Sequence, residues 1–254
     1  DMAVGNIVGS NIFNTLMILG VTALISPLII TKSNLKRDIP LNIAVTAILI
    51  FLGMKNSLFG IGQDCLTRVD GVIMLAIFAW YLWRSFRTPS DDCEESSEDI
   101  KTFSGAVSAC LIIAGLAALI GGGKMFVHSA TAIAEYLHLS EKFIAITVMA
   151  AGTSLPELAT CVVAATKGHG QLALGNILGS NVSNILLILG GSALIHPLSF
   201  AGMTPVDLGV VMIAAVFILS SAYTFRANKL DRFEGGVLLA IEIGYMIWLF
   251  VNPA

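Results

Sequence analysis

The 254-residue chain contains few charged side chains and few cysteines. Charged residues make up 12% of the chain and hydrophobic residues 56%, whereas a soluble domain has about 25% charged residues. This shortage of charge excludes an ordinary soluble domain. The four cysteines show no paired metal-ligand spacing, which argues against a zinc motif or a disulfide framework. Because the mean hydropathy is +0.86, we predict an integral membrane protein.

Long hydrophobic runs account for most of the chain. A helix that crosses a bilayer needs about 20 largely apolar residues, and we identify eight candidate runs. The predicted spans are 2–25, 39–54, 69–86, 104–122, 143–166, 171–195, 205–224 and 233–251. We therefore predict an all-α, multi-pass membrane protein, and we expect it to lie in a bacterial or archaeal inner membrane.

The positive charges are distributed unevenly between the connections. Those after the first, third, fifth and seventh spans contain Lys32, Lys36, Arg37, Arg84, Arg87, Lys101, Lys167, Arg226, Lys229 and Arg232. The other connections contain mainly Lys55, Arg68 and Lys142. Because Lys and Arg are enriched on the cytoplasmic side of a membrane, we predict that the first set of connections is cytoplasmic.

The longest polar connection, 87–103, is rich in acidic residues, namely Asp91, Asp92, Glu94, Glu95, Glu98 and Asp99. These carboxylates lack the ordered spacing and the glycine of an EF-hand loop. We predict a solvated, flexible cytoplasmic linker. It separates 1–86, with three spans, from 104–254, with five.

Two segments of the chain have nearly the same sequence. Residues 5–14 read GNIVGSNIFN and residues 175–184 read GNILGSNVSN, an offset of 170. A second echo relates LTRVDG at 66–71 to LDRFEG at 230–235. The first of these opens a span entered from outside and the second a span entered from the cytoplasm, so the repeats are inverted. Inverted repeats place substrate sites near the membrane midplane and provide the two conformations of alternating access.

The fifth predicted span contains glycine and proline where a continuous helix is expected. Residues 150–157 read AAGTSLPE. Proline removes a backbone donor and clashes with the carbonyl four residues back, which frees carbonyls near Gly152 and Thr153. Glu157, one turn from Thr153, supplies the formal charge that a calcium or sodium ion requires. We therefore predict a cation site at this break.

Two polar pairs are expected to complete the site. Ser180 and Asn184 are four residues apart and share a helix face, as do Ser10 and Asn14 in the first copy. Glycines with the same spacing form a small-residue face in each copy, on which another helix can pack closely. These glycines are Gly5 and Gly9, and Gly175 and Gly179.

The sequence GTSLPE at 152–157, followed by GNILGSN at 175–181, resembles the alpha-repeat of the sodium/calcium exchanger family, within the cation/calcium exchanger superfamily. The resemblance covers the whole chain in the order of its spans. It implies an inverted-repeat transporter bundle of ten spans, of which this chain would supply spans three to ten. The implied ion ligands are Thr153, Ser154 and Glu157, a carbonyl of Ala150, and Ser10, Asn14, Ser180 and Asn184.

The resemblance implies a secondary active antiporter that exchanges sodium for calcium without a cofactor. The expected partners are calcium ions, sodium ions and the lipid bilayer, and not nucleic acid; the oligomeric state stays open. The family pattern also implies another GTSLPE copy with a second glutamate before Asp1, so these residues alone are expected not to transport. Asn14 and Asn184 are neutral where some relatives have aspartate, which argues against potassium dependence.

Three other functions fit parts of the sequence less well or equally well. A proton-coupled calcium or cation exchanger of the same superfamily would use the same scaffold. An intramembrane hydrolase would use Ser154 or Ser180, but no histidine lies inside a predicted span near either serine. A passive channel needs a continuous pore, which inverted repeats with broken helices disfavour.

Glu242 lies in the middle of the last predicted span. It has no acidic counterpart in the other repeat, where Phe78 or a neighbour stands. We expect a structural role for Glu242, either packed inward or neutral.

Overall fold

A computed structural model describes residues 2–60, 62–87, 104–223 and 228–252. Most of the predicted acidic linker, 88–103, lies outside the described residues. Ten helices account for most of the described chain: α1 (Met2–Ile25), α2 (Ile39–Gly53), α3 (Lys55–Phe59), α4 (Arg68–Arg87), α5 (Gly105–Tyr136), α6 (Ile144–Thr153), α7 (Leu155–Thr166), α8 (Gly170–Ile195), α9 (Pro205–Ser221) and α10 (Arg232–Val251). A single turn, Glu141–Phe143, precedes α6.

The helices reproduce the order of the eight predicted spans. Within the described ranges, five helices are long and apolar enough to cross a membrane alone, and α6 with α7 make a sixth if the bent pair is one span. Helix α9 is apolar and shorter, with 17 residues. Helix α2 has 15 residues and is preceded by a π-helical turn, Asn34–Asp38.

The fourth predicted span was too short. We predicted that it ends at residue 122, whereas α5 has 32 residues and continues to Tyr136. Three consecutive glycines, Gly121 to Gly123, do not end the helix. In lipid an unsatisfied backbone group costs several kcal/mol, whereas a glycine in a helix costs only about 1 kcal/mol, so the helix continues.

Two short antiparallel strand pairs connect the halves of the chain. Strands β1 (Leu28–Ile29) and β4 (Lys229–Leu230) pair with Leu28 opposite Leu230. Strands β2 (Cys65–Leu66) and β3 (Leu198–Ser199) pair with Leu66 opposite Leu198. The sequence repeat relates Leu28 to Leu198 and Leu66 to Leu230. The two pairs are therefore equivalent contacts of one pseudo-symmetric molecule.

The strand pairs also give the direction of each repeat. Helix α1 ends at the β1–β4 pair, and α2 returns across the bundle to the β2–β3 pair. Helix α8, the equivalent of α1, ends at the β2–β3 pair instead. Equivalent helices thus run in opposite directions, as an inverted repeat requires.

Close helix crossings hold the halves together through glycine. A Cβ added to Gly235 of α10 would lie 2.9 Å from the Gly20 carbonyl oxygen of α1. The equivalent crossing joins α4 and α8, where a Cβ on Gly71 would lie 2.6 Å from the carbonyl oxygen of Gly190. Small residues let the helices approach this closely in lipid, where dispersion contacts replace the hydrophobic effect as the driving force.

Candidate functional site

The predicted break in the fifth span is present. Helices α6 and α7 meet at Ser154 and are bent by 50°. The backbone N–H of Ser154 donates to the carbonyl oxygens of Ala150 and Ala151, both at 3.1 Å, and Pro156 lies in the first turn of the next helix. A Cβ on Gly152 would collide with Val127 of α5, so this glycine is required where α5 passes the bend. The prediction of a broken helix here is confirmed.

Three π-helical turns, which the sequence pattern did not predict, lie in α1, α6 and α8. One of them, Ile144–Met149, leads directly into the bend. The other two, Phe13–Ile18 in α1 and Asn184–Leu189 in α8, occupy equivalent positions of the two repeats. Single π-helical turns are rare and concentrate at functional sites because they interrupt the regular hydrogen-bond ladder. Asn14 and Asn184 both belong to such turns.

The predicted site residues meet around the break. Ser180 of α8 donates a hydrogen bond to Oε1 of Glu157 at 3.1 Å. Ser10 of α1 lies 3.0 Å from the Thr153 hydroxyl, and this contact joins the two repeats. Because the Thr153 hydroxyl donates to the carbonyl oxygen of Ala150 at 3.0 Å, Ser10 is the donor in that contact.

The main-chain oxygen of Ala150 is already engaged. It accepts from the Ser154 backbone and from the Thr153 hydroxyl, which uses both of its lone pairs. A cation at this oxygen would have to replace one of the two hydrogen bonds. Ser154, another predicted ligand, is buried directly at the bend.

A buried amide cluster joins the two copies of the repeated segment. Asn14 donates to Oδ1 of Asn181 at 3.1 Å, and Asn184 donates to Oδ1 of Asn11 at 3.0 Å. The offset of 170 residues relates Asn14 to Asn184 and Asn11 to Asn181, so the two hydrogen bonds are equivalent in the two repeats. Asn11 and Asn181 were not among the predicted site residues, although their duplication within the repeated segment was a signal that could have found them.

The amide cluster departs from symmetry at one position. Asn181 also donates to the Thr15 hydroxyl at 2.9 Å. Residue 185, the equivalent of Thr15, is isoleucine, and Asn11 donates to the Asn181 carbonyl oxygen at 3.3 Å instead. The two copies therefore have different hydrogen-bond networks.

The arrangement offers oxygen atoms in partly dehydrated surroundings. Ser10 and Asn14 are buried, Glu157, Ser180 and Asn184 are half-buried, and Thr153 is exposed. The Oδ1 atom of Asn14 is buried and has no hydrogen-bond partner among the described residues. No cluster of three or more His, Cys, Asp or Glu side chains occurs in the part of the chain that the structure describes. Neutral oxygens around one carboxylate suit a hard cation such as calcium or sodium.

The two glycine faces differ. A Cβ on Gly9 would collide with the main chain of Ile146, and one on Gly5 would lie 3.2 Å from Cβ of Ala145. The predicted close packing is confirmed for this copy. A Cβ added to Gly175 or Gly179 would meet no atom of another described helix within 4 Å.

Comparison with known proteins assigns the family. The family model described as sodium/calcium exchanger protein matches residues 1–87 and 107–251. The chain belongs to this family.

Relatives and solved structures extend the match over almost the whole chain. Sodium/calcium exchanger MaX1 of Methanosarcina acetivorans is 32% identical over 98% of this chain and 80% of its own length. Inner membrane protein YrbG of Escherichia coli is 33% identical over 98% of this chain and 76% of its own length. A structure of the sodium-calcium exchanger NCX_Mj superposes with a TM-score of 0.76 and 32% identity, covering 98% of this chain and 77% of that chain.

This member of the exchanger family is therefore a prokaryotic-type, all-α integral membrane protein with inverted repeats. The family consists of exchangers rather than enzymes. The boundaries of the two halves and the ion-binding roles of individual side chains stay predictions.

Proposed function

We propose that this protein is a secondary active antiporter that exchanges sodium for calcium by alternating access. The observation that carries the proposal is the contact set at the bend, where the Glu157 carboxylate and the Ser10–Thr153 bridge bring both repeats together. Family membership and the NCX_Mj match support exchange of these cations.

The proposed cation site lies between the bend and the polar faces of α1 and α8. Glu157 contributes the negative charge, and Thr153, Ser154, Ser10 and Ser180 contribute hydroxyl oxygens. The unpartnered Oδ1 of Asn14 is an amide oxygen available to a cation, and Asn184 and the Ala150 carbonyl complete the set. A calcium ion takes six to eight oxygen ligands, a number that a single helix cannot supply.

Exchange follows from the cost of an uncompensated charge in the membrane. An empty site leaves the Glu157 carboxylate without a cation in a medium where charge is costly, which disfavours switching while empty. Calcium and sodium compete for the same oxygens, so each leaves when the other binds. The two inverted repeats supply two related conformations, one open to each side.

The test is radiocalcium uptake into sodium-loaded proteoliposomes that contain the full-length gene product. We expect uptake to require the outward sodium gradient and to fall at least about 100-fold in Glu157→Gln, equivalent to about 2.7 kcal/mol. Glu135→Gln is the matched control, because Glu135 is an exposed glutamate in the last turn of α5.

Two results would contradict the proposal. Uptake that is independent of sodium and is driven by a proton gradient would assign the protein to proton-coupled exchange. Undiminished sodium-driven uptake in Glu157→Gln would remove Glu157 from the site.

A further inference from the structure

Glu242 is a buried carboxyl group that the cation site does not use. It is the eleventh of the 20 residues of α10, so about 15 Å of helix extends to either end. Its side chain is 0% exposed, and neither carboxyl oxygen has a hydrogen-bond partner among the described residues. An ionised carboxylate in this position would lack both water and a counter-charge.

The inverted repeat provides an internal control for the role of this residue. Helix α4 is the equivalent of α10, and an offset of 164 residues relates Gly71 to Gly235 and Tyr81 to Tyr245. The same offset places Phe78 opposite Glu242. Phe78 is half-buried and packs against the hydrophobic core. The scaffold therefore does not need a carboxyl group at this position.

The surroundings of Glu242 contain few titratable groups. Helix α10 packs against α1, in which no residue from Met2 to Ile25 is titratable. Helix α9, which also packs on α10, contributes only Asp207. On α10 itself the nearest titratable side chain is Tyr245, one turn further along.

Tyr245 begins a line of buried polar groups that continues through Asp207 to Lys142. Its hydroxyl donates to Oδ1 of Asp207 at 2.8 Å, at the start of α9. The other oxygen of Asp207 lies 2.9 Å from Nζ of Lys142 and accepts from Thr204. Lys142 precedes α6, in a connection that the distribution of positive charge assigns to the outside. The line thus extends from the midplane toward the outer surface.

We propose that Glu242 is a proton-binding site coupled to cation exchange. The described conformation holds Glu242 as the neutral acid, and another conformation of the transport cycle releases its proton to the outside. The release step takes place in that other conformation, which must bring the Glu242 carboxyl group into contact with the Tyr245 hydroxyl and open Asp207 to water, since the described conformation has neither contact. There the Tyr245 oxygen accepts the proton from Glu242 and gives its own proton to Asp207, which passes it to water. Glu242 is left as the carboxylate, and the reverse transfer restores it. This inference rests on the proposed exchange function.

Protonation of Glu242 makes the conformational equilibrium depend on pH. Ionisation disfavours the described conformation, because the carboxylate has no partner there among the described residues. A tenfold shift in the populations needs only about 1.4 kcal/mol. Exchange by the wild-type protein is therefore expected to change about tenfold or more between about pH 4 and about pH 9, the range over which glutamates titrate from water to buried sites.

The experiment measures sodium-driven radiocalcium uptake across this pH range in the wild type and in Glu242→Gln. Glutamine imitates the neutral acid, so the pH profile of the variant is expected to be flat while uptake persists. Glu242→Asp is expected to restore the pH dependence, and Glu135→Gln to leave it unchanged. A Glu242→Gln profile that superimposes on the wild type would overturn the proposal.

A spectroscopic measurement tests the proton itself and does not need transport. In infrared spectra of the purified protein at neutral pH, the carbonyl band of a protonated acid is expected in the wild type and in Glu135→Gln. The band is expected to be missing in Glu242→Gln. Equal spectra would refute the proton site even if sodium/calcium exchange is established, and a band that Glu242→Gln removes would support it even if exchange is not.

Discussion

The two copies of the repeated segment have almost the same residues and different surroundings. Ser180 donates to a carboxylate, whereas Ser10 contacts a hydroxyl. A Cβ added to Gly9 would collide with the main chain of Ile146, whereas one added to Gly179 would meet no atom of another described helix within 4 Å. Sequence duplication thus preserves the backbone and the types of side chain, while the contacts of each copy depend on what packs against it.

The last helices of the two halves differ in a second way. Helices α4 and α10 share a capped start, a glycine crossing and a tyrosine, yet Phe78 in one is Glu242 in the other. In a pseudo-symmetric fold, a residue present in both halves serves the common architecture, whereas a residue present in one half serves that half alone. The effects of substitutions at equivalent positions on stability or uptake therefore show where the two halves differ.

The largest expected difference in stability is between variants of the two lysine ion pairs. Lys142–Asp207 is almost fully buried, with side chains 5% and 0% exposed, whereas Lys55–Asp70 is more open, at 26% and 8%. Asp207→Leu leaves a buried lysine unpaired and is expected to cost about 3–5 kcal/mol of stability. Asp70→Leu is expected to cost less, although it also removes the cap that Asp70 forms with Thr67.

Thermal unfolding in detergent, followed by size-exclusion chromatography, measures this difference. Asp207→Asn is the matched variant, because it removes the charge and keeps the shape. Equal losses of stability in Asp207→Leu and Asp70→Leu would show that burial does not distinguish the two pairs.

The next comparison is between the two serines of the site. Ser180→Ala removes a proposed calcium ligand that also contacts the Glu157 carboxylate, and we expect apparent calcium affinity to fall about 10- to 100-fold, or about 1.4–2.7 kcal/mol. Ser10→Ala removes a proposed ligand that contacts only a neutral hydroxyl, and we expect a smaller loss of about 2- to 10-fold. Calcium dependence of uptake in proteoliposomes measures both. A larger loss in Ser10→Ala would reverse the proposed asymmetry.

The glycine crossings are expected to respond equally. Gly71→Ala and Gly235→Ala each place a methyl group within 3 Å of the opposing helix, and each is expected to destabilise the protein by about 1–3 kcal/mol. Gly236→Ala is the control, since its added Cβ would have no described neighbour within 4 Å. Thermal unfolding should show a loss of stability in Gly71→Ala and Gly235→Ala and almost no change in Gly236→Ala. A loss of stability in only one of Gly71→Ala and Gly235→Ala would show that the two crossings are not equivalent.

The smallest expected effect concerns the one asymmetric hydrogen bond in the amide cluster. Thr15→Val removes the acceptor of the Asn181 amide and is expected to cost about 0.5–1.5 kcal/mol. Ile185→Thr offers Asn11 the equivalent acceptor and is expected to recover part of this loss in the double variant. Additive effects in thermal unfolding would indicate that the two positions are independent.

Much of the fold was predictable from the sequence. In lipid every backbone group must be satisfied within a helix, so hydrophobic length and order predicted the sequence of spans. The duplication predicted inverted repeats, and the GTSLPE segment predicted the bend at Ser154. The predicted end of α5 was wrong: the span was predicted to end at residue 122, whereas the helix continues through three consecutive glycines to Tyr136.

Four of the predicted site residues contact one another as Ser10 with Thr153 and Ser180 with Glu157, but the sequence did not predict these partners. Nothing in residues 5–14 and 175–184 distinguishes a serine that meets Glu157 from one that meets Thr153. The roles of Asn11 and Asn181 were likewise not predicted, because their partners lie about 170 residues away along the chain.

The sequence by itself determined a membrane protein with an inverted duplication and a carboxylate beside a broken helix. These properties follow from hydropathy, periodicity and local backbone chemistry, which act over a few residues. Only the tertiary structure decided which polar atoms pair across the repeats and that both oxygens of Glu242 are left without a partner among the described residues. The physical reason is that burial and hydrogen bonding belong to helices packed together, and equal sequences packed against different neighbours acquire different chemistry.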